Sequence, residues 1–217
     1  VGSDDGLVHV TRDGGEKWEN VTPKGLPKWA QINPLETSDH DAGTAYIAAT
    51  TYKSGDFAPY LYKTTDFGKS WTKITTGIGA EHFTRVIRED PTNKNILYAG
   101  TEEGIYISFD QGANWKQFQL NLPIVPITDL QIKENNLIVA TQGRSIWILY
   151  DLSVLHQNKV ASINKTEQFL FQPKPTYRIG GGSTSNSKTD GTNHPNGVVT
   201  YFNIKDLDEK KDTIYLT

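Results

Sequence analysis

The sequence contains no cysteine and no methionine among its 217 residues. Without cysteine, disulfide bonds and thiol chemistry are excluded, but the compartment is not fixed, because exported proteins can also lack this residue. A chain that has no methionine and opens on Val1 within a strand-like phrase is expected to begin at a cut or fragment boundary.

Long apolar runs and an excess of one charge are also missing. No stretch approaches the ~20 apolar residues that a membrane-spanning helix needs, and no charged-then-apolar leader opens the chain. The 22 Lys and Arg residues nearly balance the 25 Asp and Glu residues, which gives a formal net charge of −3. Nucleic acid and anionic membranes are therefore not expected as partners.

Several catalytic motifs are absent as well. The five His residues lack metal-ligand spacing such as His-Glu-x-x-His, so no metal site is predicted. There is no Gly-x-Ser-x-Gly elbow, and the glycine run at 180–182 lacks the Lys-Ser/Thr of a phosphate-binding loop. We predict no cofactor, and the sequence does not identify which residues would be catalytic.

One phrase recurs three times at the spacing of a propeller blade, roughly 40–50 residues. It reads Thr11-Arg-Asp13-Gly-Gly15-Glu-Lys-Trp18, Thr64-Thr-Asp66-Phe-Gly68-Lys-Ser-Trp71 and Ser108-Phe-Asp110-Gln-Gly112-Ala-Asn-Trp115. The shared pattern, Ser/Thr-x-Asp-x-Gly-x-x-Trp, is the Asp box.

The chemistry of the Asp box is that of a tight hairpin turn. The Asp side chain accepts hydrogen bonds from backbone N–H groups just ahead of it, the Gly supplies a positive φ, and the Trp is expected to fold back over its own hairpin. A catalytic role for the Asp residues is disfavoured, since each is committed to its turn. The predicted structural residues are Asp13, Gly15, Trp18, Asp66, Gly68, Trp71, Asp110, Gly112 and Trp115.

Alternating apolar and polar residues predict strands around each repeat. The third repeat is predicted to have four strands, at 84–89, 96–101, 104–109 and 114–119. The second repeat is interpreted in the same way, with an inserted loop at 51–58. We therefore predict an all-β fold in which 1–150 is a partial β-propeller with two full four-stranded blades and two incomplete ones.

A closed propeller has ~4–8 blades, so the remaining blades are expected from the same parent protein or a second fragment. The last unit has three predicted strands, and its missing strand is expected from a distant N-terminal region. Residues 151–197 are predicted to form an extended, Gly/Ser-rich connection that starts with a short helical turn at 151–157. Residues 198–217 are predicted to be the first strands of a following β-sandwich-like domain.

Phrases around the repeats carry a family resemblance. They are Gly2-Ser-Asp-Asp-Gly-Leu-Val8, Pro59-Tyr-Leu-Tyr-Lys-Thr-Thr-Asp66, Ala99-Gly-Thr-Glu-Glu-Gly-Ile-Tyr106, Ala140-Thr-Gln-Gly-Arg-Ser-Ile-Trp-Ile-Leu149 and Gly191-Thr-Asn-His-Pro-Asn-Gly-Val198. With these phrases the chain resembles bacterial exported propellers with BNR or Asp-box repeats, which are glycosyl-hydrolase-like and related to the ligand-binding propeller of sortilin-type receptors. The family more often has His in place of Gln142 and a second proline in place of His194, so a role for that family His does not carry over.

The resemblance implies an extracellular, periplasmic or cell-surface protein, and it leaves three functions open. The chain is a binding module for polysaccharide or extended peptide, part of a glycoside hydrolase, or a subunit of a cell-envelope assembly. Related propellers include xyloglucan-cleaving glycosidases, sialidases and binding proteins, and a shared fold does not transfer chemistry. Hydrolysis also needs two carboxylates at a fixed separation, which the sequence does not pair.

Strand alternation predicts where a ligand would bind. Because the Asp boxes are third-to-fourth turns, the second-to-third turns and the links between blades share the opposite face. The candidate ligand-binding residues on that face are Asp4, Asp5, Trp29, Asp56, His82, Glu102, Glu103 and Arg144.

Each candidate also has a structural alternative. The acids fit solvated hairpin tips, and Arg144 fits a cap on the central channel that pairs with a neighbouring acid. Trp29 fits a side chain packed between blades.

Overall fold

The computed structural model describes residues 1–157, 168–177 and 197–204. The chain divides into two compact units, Val1–Leu149 and Tyr150–Thr217. The elements are almost all antiparallel strands, which confirms the predicted all-β fold class. The parts of the predicted connection and of the predicted following strands at 158–167, 178–196 and 205–217 lie outside the described residues.

The second and third blades are complete, and each is a four-stranded antiparallel sheet in simple up-and-down order. The strands of the second blade are β3 (Gln31–Thr37), β4 (Ala45–Thr51), β5 (Asp56–Thr64) and β6 (Thr72–Lys73). Those of the third blade are β7 (Thr84–Glu89), β8 (Leu97–Thr101), β9 (Gly104–Ser108) and β10 (Lys116–Gln117).

The first and fourth blades are incomplete within the described residues. The first blade pairs β1 (His9–Val10) with β2 (Glu19–Asn20), and an isolated bridge joins Gly2 to Val8. The fourth blade is a three-stranded sheet of β11 (Ile127–Lys133), β12 (Asn136–Thr141) and β13 (Ile146–Leu149).

The predicted inserted loop at 51–58 is wrong in its detail. β4 continues to Thr51, a 3₁₀ turn follows at Tyr52–Ser54, and β5 already begins at Asp56. Gly55, with φ +82°, closes the turn, and Thr51 pairs with Asp56 across the hairpin. The insertion therefore lengthens a hairpin and fixes Asp56 at the start of a strand.

The turns of the first unit fall on two faces, as antiparallel connectivity requires. The Asp-box face carries the Asp-box turns together with the first-to-second turns. The link face carries the second-to-third turns at 3–7, 52–55, 102–103 and 142–145 and the links between blades at 22–30, 74–83 and 118–126.

Buried apolar side chains fill the space between neighbouring blades. Between the second and third blades, Tyr46, Leu61 and Ile74 pack with Leu97 and Trp115 in one cluster. Burying each such side chain contributes about 1.5–3 kcal/mol to folding. A blade in this unit is therefore held mainly by the faces of its neighbours.

Each Asp box is closed by its own side chains. Asp13, Asp66 and Asp110 each accept a hydrogen bond at Oδ1 from the backbone N–H four residues ahead, at 2.8–2.9 Å. The hydroxyl of Thr11, Thr64 or Ser108 donates to the same carboxylate and accepts from the N–H of the Asp-box glycine.

The predicted position of the Asp-box Trp is wrong for two of the three repeats. Trp71 Nε1 donates to Val21 O at 2.6 Å, and Trp115 Nε1 donates to Ile74 O at 2.8 Å. Both acceptors lie at the end of the fourth strand of the preceding blade, so these indoles join blades. Only Trp18 turns onto its own hairpin, where it donates to Gly15 O.

The second unit contains little regular structure within the described residues. A short helix, α1, spans Ser153–His156, and β14 (Gln168–Leu170) pairs antiparallel with β15 (Phe202–Ile204). The rings of Phe169 and Phe171 meet edge to face at 4.8 Å.

Candidate functional site

A recess of about 160 Å³ opens on the link face where the first blade meets the second. The turn at 3–7, the link at 22–30 and the lengthened β4–β5 hairpin converge there. Its lining combines one indole, one phenol and several hydroxyl, amide and charged groups: Asp4, Trp29, Gln31, Thr50, Thr51, Tyr52, Lys53 and Ser54.

Trp29 is the most exposed large aromatic side chain of this recess, at 75%. Its backbone adopts φ +64°, a left-handed conformation that is unusual for a bulky residue. A Cβ on Gly6 would lie 3.0 Å from Ala30 O, and the φ of Gly6 is +91°, so any other residue at this position would be strained. Because the Trp29 side chain is 75% exposed, the alternative in which it packs between blades is wrong.

An aromatic cluster extends the recess toward the third blade. The rings of Tyr52 and Phe83 stack at 5.0 Å with an interplanar angle of 10°, and Phe57 lies 6.1 Å from Phe83. The Arg85 guanidinium sits 5.1 Å above the Phe83 ring and forms an ion pair with Glu102 at 2.6 Å. Stacking and cation–π contacts of this kind hold the tip of the β4–β5 hairpin in one position.

Three of the predicted acids are engaged within the protein. Ser3 Oγ donates to Asp5, and Glu102 is paired with Arg85. Asp56 accepts hydrogen bonds from the Tyr60 hydroxyl at 2.6 Å and from the Ala58 N–H at 3.0 Å. These bonds, that from Tyr60 first, lower the pKa of Asp56 below its ordinary value.

Of the other candidates, His82 has a side-chain hydrogen-bond partner, and three side chains have none among the described residues. His82 Nδ1 forms a 2.8 Å hydrogen bond with the Tyr106 hydroxyl, which holds the link between the second and third blades. Among the described residues, the carboxylates of Asp4 and Glu103 and the guanidinium of Arg144 have no hydrogen-bond or ion-pair partner. The alternative in which Arg144 pairs with a neighbouring acid is not observed.

The recess brings together Asp4 and Trp29, two of the predicted residues, with Tyr52, Lys53 and Gln31, which the sequence did not single out. Tyr52 and Lys53 lie in the stretch predicted as an inserted loop, and Arg85 lies within an inner strand. An insertion at a second-to-third turn that contains an aromatic residue is the signal that could have identified Tyr52.

Within the described residues, no group of three or more His, Asp or Glu side chains could hold a metal ion. Nor does that part of the chain include a helix of the length and hydropathy needed to cross a membrane.

Residues 106–117, which include the third Asp box, match the BNR/Asp-box repeat model. Over 123 residues, 51% of the chain, the sequence is 29% identical to an oligoxyloglucan-reducing end-specific xyloglucanase of Emericella nidulans. The chain spans 14% of the length of that relative.

Solved structures show the same fold at low sequence identity. A GH74 xyloglucanase from Xanthomonas campestris matches with a TM-score of 0.51 and 18% identity, over 69% of this chain and 24% of that one. YCF48 bound to D1 peptide matches with a TM-score of 0.51 and 20% identity, over 68% of this chain and 46% of that one. Together with three Asp boxes on successive antiparallel sheets, these matches identify the chain as a partial β-propeller of the BNR/Asp-box type.

Proposed function

We propose that this chain is the ligand-binding part of a carbohydrate-recognising propeller, and that it binds polysaccharide at the link-face recess formed by Asp4, Trp29, Gln31, Tyr52 and Lys53. The single observation that carries the proposal is Trp29, an indole that is 75% exposed at the edge of a polar recess. A soluble protein gains nothing in stability from leaving this ring in water, whereas a ligand with an apolar face would cover it.

The chemistry of the recess suits a sugar chain. One face of a pyranose ring carries C–H groups that stack on an indole, and its rim carries hydroxyls that exchange hydrogen bonds with amide, hydroxyl and charged groups. Gln31 and Lys53, already hydrogen-bonded to each other at 3.0 Å, offer both donors and acceptors beside Trp29. The similarity to xyloglucanases makes a β-glucan backbone the first ligand to test.

The extended shape of the face favours a chain over a monosaccharide. From Trp29 the surface continues through Tyr52 to Phe57, which is 47% exposed, and then to the Arg85–Glu102 pair on the third blade. A linear ligand could contact three blades along this route. An extended peptide is the alternative ligand for the same surface.

The test is a binding titration of the full chain with xyloglucan oligosaccharides, followed by isothermal titration calorimetry. We expect Trp29→Ala to weaken binding at least tenfold, because it removes the stacking surface and leaves the fold unchanged. The matched control is Trp18→Ala, which removes an indole that is 49% exposed on the opposite, Asp-box face, and it should bind like the wild type.

Two results would count against the proposal. If the two Trp variants lost affinity equally, the recess would not be the binding site. If the chain bound no glycan but bound extended peptides with the same dependence on Trp29, the ligand class would be wrong.

A second candidate function is glycoside hydrolysis, which the similarity to xyloglucanases favours. On this chain its acids would be Asp4 and Glu103, whose carboxylates have no partner among the described residues, while Asp5, Asp56 and Glu102 are engaged. Release of reducing sugar from xyloglucan that is abolished by Asp4→Asn or Glu103→Gln would establish it.

An extracellular, periplasmic or cell-surface location accompanies either function, because polysaccharide of this kind lies outside the cytoplasm. Fractionation of the native host, with antibody detection in the envelope and culture medium, tests it.

A further inference from the structure

A second recess lies on the Asp-box face, where the second blade meets the third, and has a volume of about 510 Å³. This volume is in the range of small-ligand sites, roughly 300–1,000 Å³. Both blades that bound the recess are complete four-stranded sheets, so it is not a gap left by an incomplete blade. It shares no lining residue with the link-face recess.

The lining of this second recess includes Lys63, a half-buried lysine on the third strand of the second blade. The equivalent residues of the first and third blades are Val10 and Ile107, as the pairing of each third strand with its fourth strand shows. Packing of a blade therefore requires no charge at this position. Because removing an ammonium from water costs free energy that an apolar side chain does not, a ligand explains Lys63 better than the fold does.

The ammonium of Lys63 is held in place by uncharged groups. Nζ donates to Gln111 Oε1 at 2.6 Å and lies 5.8 Å from the centre of the Tyr46 ring, and Gln111 Nε2 donates in turn to Asn95 Oδ1 at 3.0 Å. Among the described residues, no carboxylate lies within 4.0 Å of Nζ. An ammonium has three N–H donors, so two remain for a ligand.

Two acids near the recess are engaged by other groups. Asp110 accepts hydrogen bonds from the backbone N–H and the side-chain amide of Asn114, both at 2.8 Å. Glu89 accepts from the Tyr46 hydroxyl at 2.8 Å. Burial lowers the pKa of Lys63, and the charge of Glu89 opposes that change. Neither carboxylate forms an ion pair with Lys63.

The rest of the lining suits a sugar ring. It combines four hydroxyl side chains with one apolar side chain: Thr65, Ser70, Thr72, Thr76 and Ile74. Hydroxyl side chains exchange hydrogen bonds with ring hydroxyls, while an ammonium pairs strongly with an oxyanion. The two features together favour a sugar that carries an acidic group over a neutral sugar.

We propose that the second recess binds an acidic sugar unit of a polysaccharide, and that Lys63 pairs with its carboxylate or sulfate group. Gln111 orients the ammonium, and the surrounding hydroxyls bond the ring. This site lies on the face opposite the link-face recess, so the inference does not depend on the proposed function.

The first test compares ligands that differ only in charge. Tri-galacturonate and its neutral, carboxyl-reduced form are titrated into the full chain by calorimetry, and a sulfated galactose trisaccharide tests the other acidic group. We expect at least one acidic trisaccharide to bind, and the neutral one to bind about tenfold more weakly or worse. The stronger acidic ligand then identifies which group Lys63 recognises.

The second test compares two lysines of the Asp-box face. Lys63→Gln and Lys69→Gln remove the same charge, but Lys69 lies outside the lining of this recess. We expect Lys63→Gln to weaken binding of the acidic trisaccharide about tenfold and Lys69→Gln to stay within about twofold of wild type.

A third variant, Lys63→Ile, places the residue of the third blade at this position. Its melting temperature should equal or exceed that of the wild type, because the fold accepts Val10 and Ile107 at the equivalent positions.

Four outcomes would overturn the proposal. Failure of both acidic trisaccharides to bind, or equal binding of the acidic and neutral forms, would exclude an acidic-sugar site. Equal losses in the two Gln variants would show that binding follows the overall charge of the face. A marked fall in the melting temperature of Lys63→Ile would show that the lysine serves the fold.

Discussion

Arg88 and Glu36 form an ion pair across the boundary between the second and third blades, with Nη1 3.3 Å from Oε2. The same guanidinium reaches Asp129 on the fourth blade, with Nη2 2.8 Å from Oδ1, and its Nε donates to Leu130 O at 2.8 Å. Burial raises the pKa of Glu36, and the Arg88 charge opposes that rise. One side chain thus joins the inner strands of three blades.

Replacing Arg88 by Gln is expected to destabilise the first unit by about 2–4 kcal/mol, because it leaves Glu36 half-buried without its counter-charge. Arg88→Lys should lose less, since it keeps a positive charge but cannot reach both carboxylates. Urea unfolding measures both variants. If the double variant Arg88→Gln with Glu36→Gln were no more stable than Arg88→Gln alone, the assigned cause would be wrong.

Trp115→Phe should destabilise the protein by about 2–3 kcal/mol, because it replaces a buried indole by a smaller phenyl ring and removes the hydrogen bond from Nε1 to Ile74 O. Trp18→Phe is the matched control. Trp18 is 49% exposed and bonds only to its own turn, so its loss should stay within about 0.5 kcal/mol. Equal losses in the two variants, measured by chemical denaturation, would contradict a blade-joining role for Trp115.

Two Asp-box glycines are expected to reject even a methyl group. A Cβ at Gly68 would lie 2.8 Å from Val21 Cβ, and one at Gly112 would lie 2.7 Å from Ile74 Cδ1, with φ at +83° and +88°. Alanine at either position should cost about 2–4 kcal/mol through strain and overpacking together. Gly14→Ala, at φ +74° with open space around it, should cost only about 1 kcal/mol of strain. Thermal unfolding of the three variants gives the comparison.

The Asp66 turn should lose its stabilising effect in acid. Hydrogen bonds from Ser70, through its hydroxyl first and then its N–H, lower the pKa of Asp66 from 3.8 to about 2. The folded state therefore binds the proton less readily than the unfolded chain. The contribution is complete above pH 3.8 and is lost as the pH falls toward 2.

Asp66→Asn removes this dependence on pH. The difference in melting temperature between wild type and variant should be largest near neutral pH and should shrink between pH 4 and pH 2. Asp4→Asn, at a carboxylate without a partner among the described residues, is the control. A difference that stayed constant across this range would show that ionised Asp66 does not stabilise its turn.

Much of the fold could be predicted because each propeller blade forms from strands that follow one another in the sequence. Strand β7 of the third blade has its predicted bounds, because the alternation of apolar and polar residues and the turn after Glu89 are signals within a few residues of each other. The fourth strands are shorter than predicted. Strand β10 covers only Lys116–Gln117, because the Asp-box turn occupies the residues before it.

What the sequence did not predict depends on contacts between distant segments. The indole of Trp71 could satisfy its N–H within its own hairpin or on another blade, and only packing decides in favour of Val21 O. The pairing of β14 with β15 joins segments more than thirty residues apart and has no local signal. The recess was predicted only in part, because Tyr52 and Lys53 come beside Trp29 through the lengthened hairpin.

The hydrogen bonds from Trp71 and Trp115 both run from a later blade to the one before it in the chain. During synthesis, a blade leaving the ribosome can therefore be secured as soon as the next tryptophan has emerged, without waiting for the ring to close. Assembly of the first three blades therefore has a direction, from the amino end toward the carboxyl end.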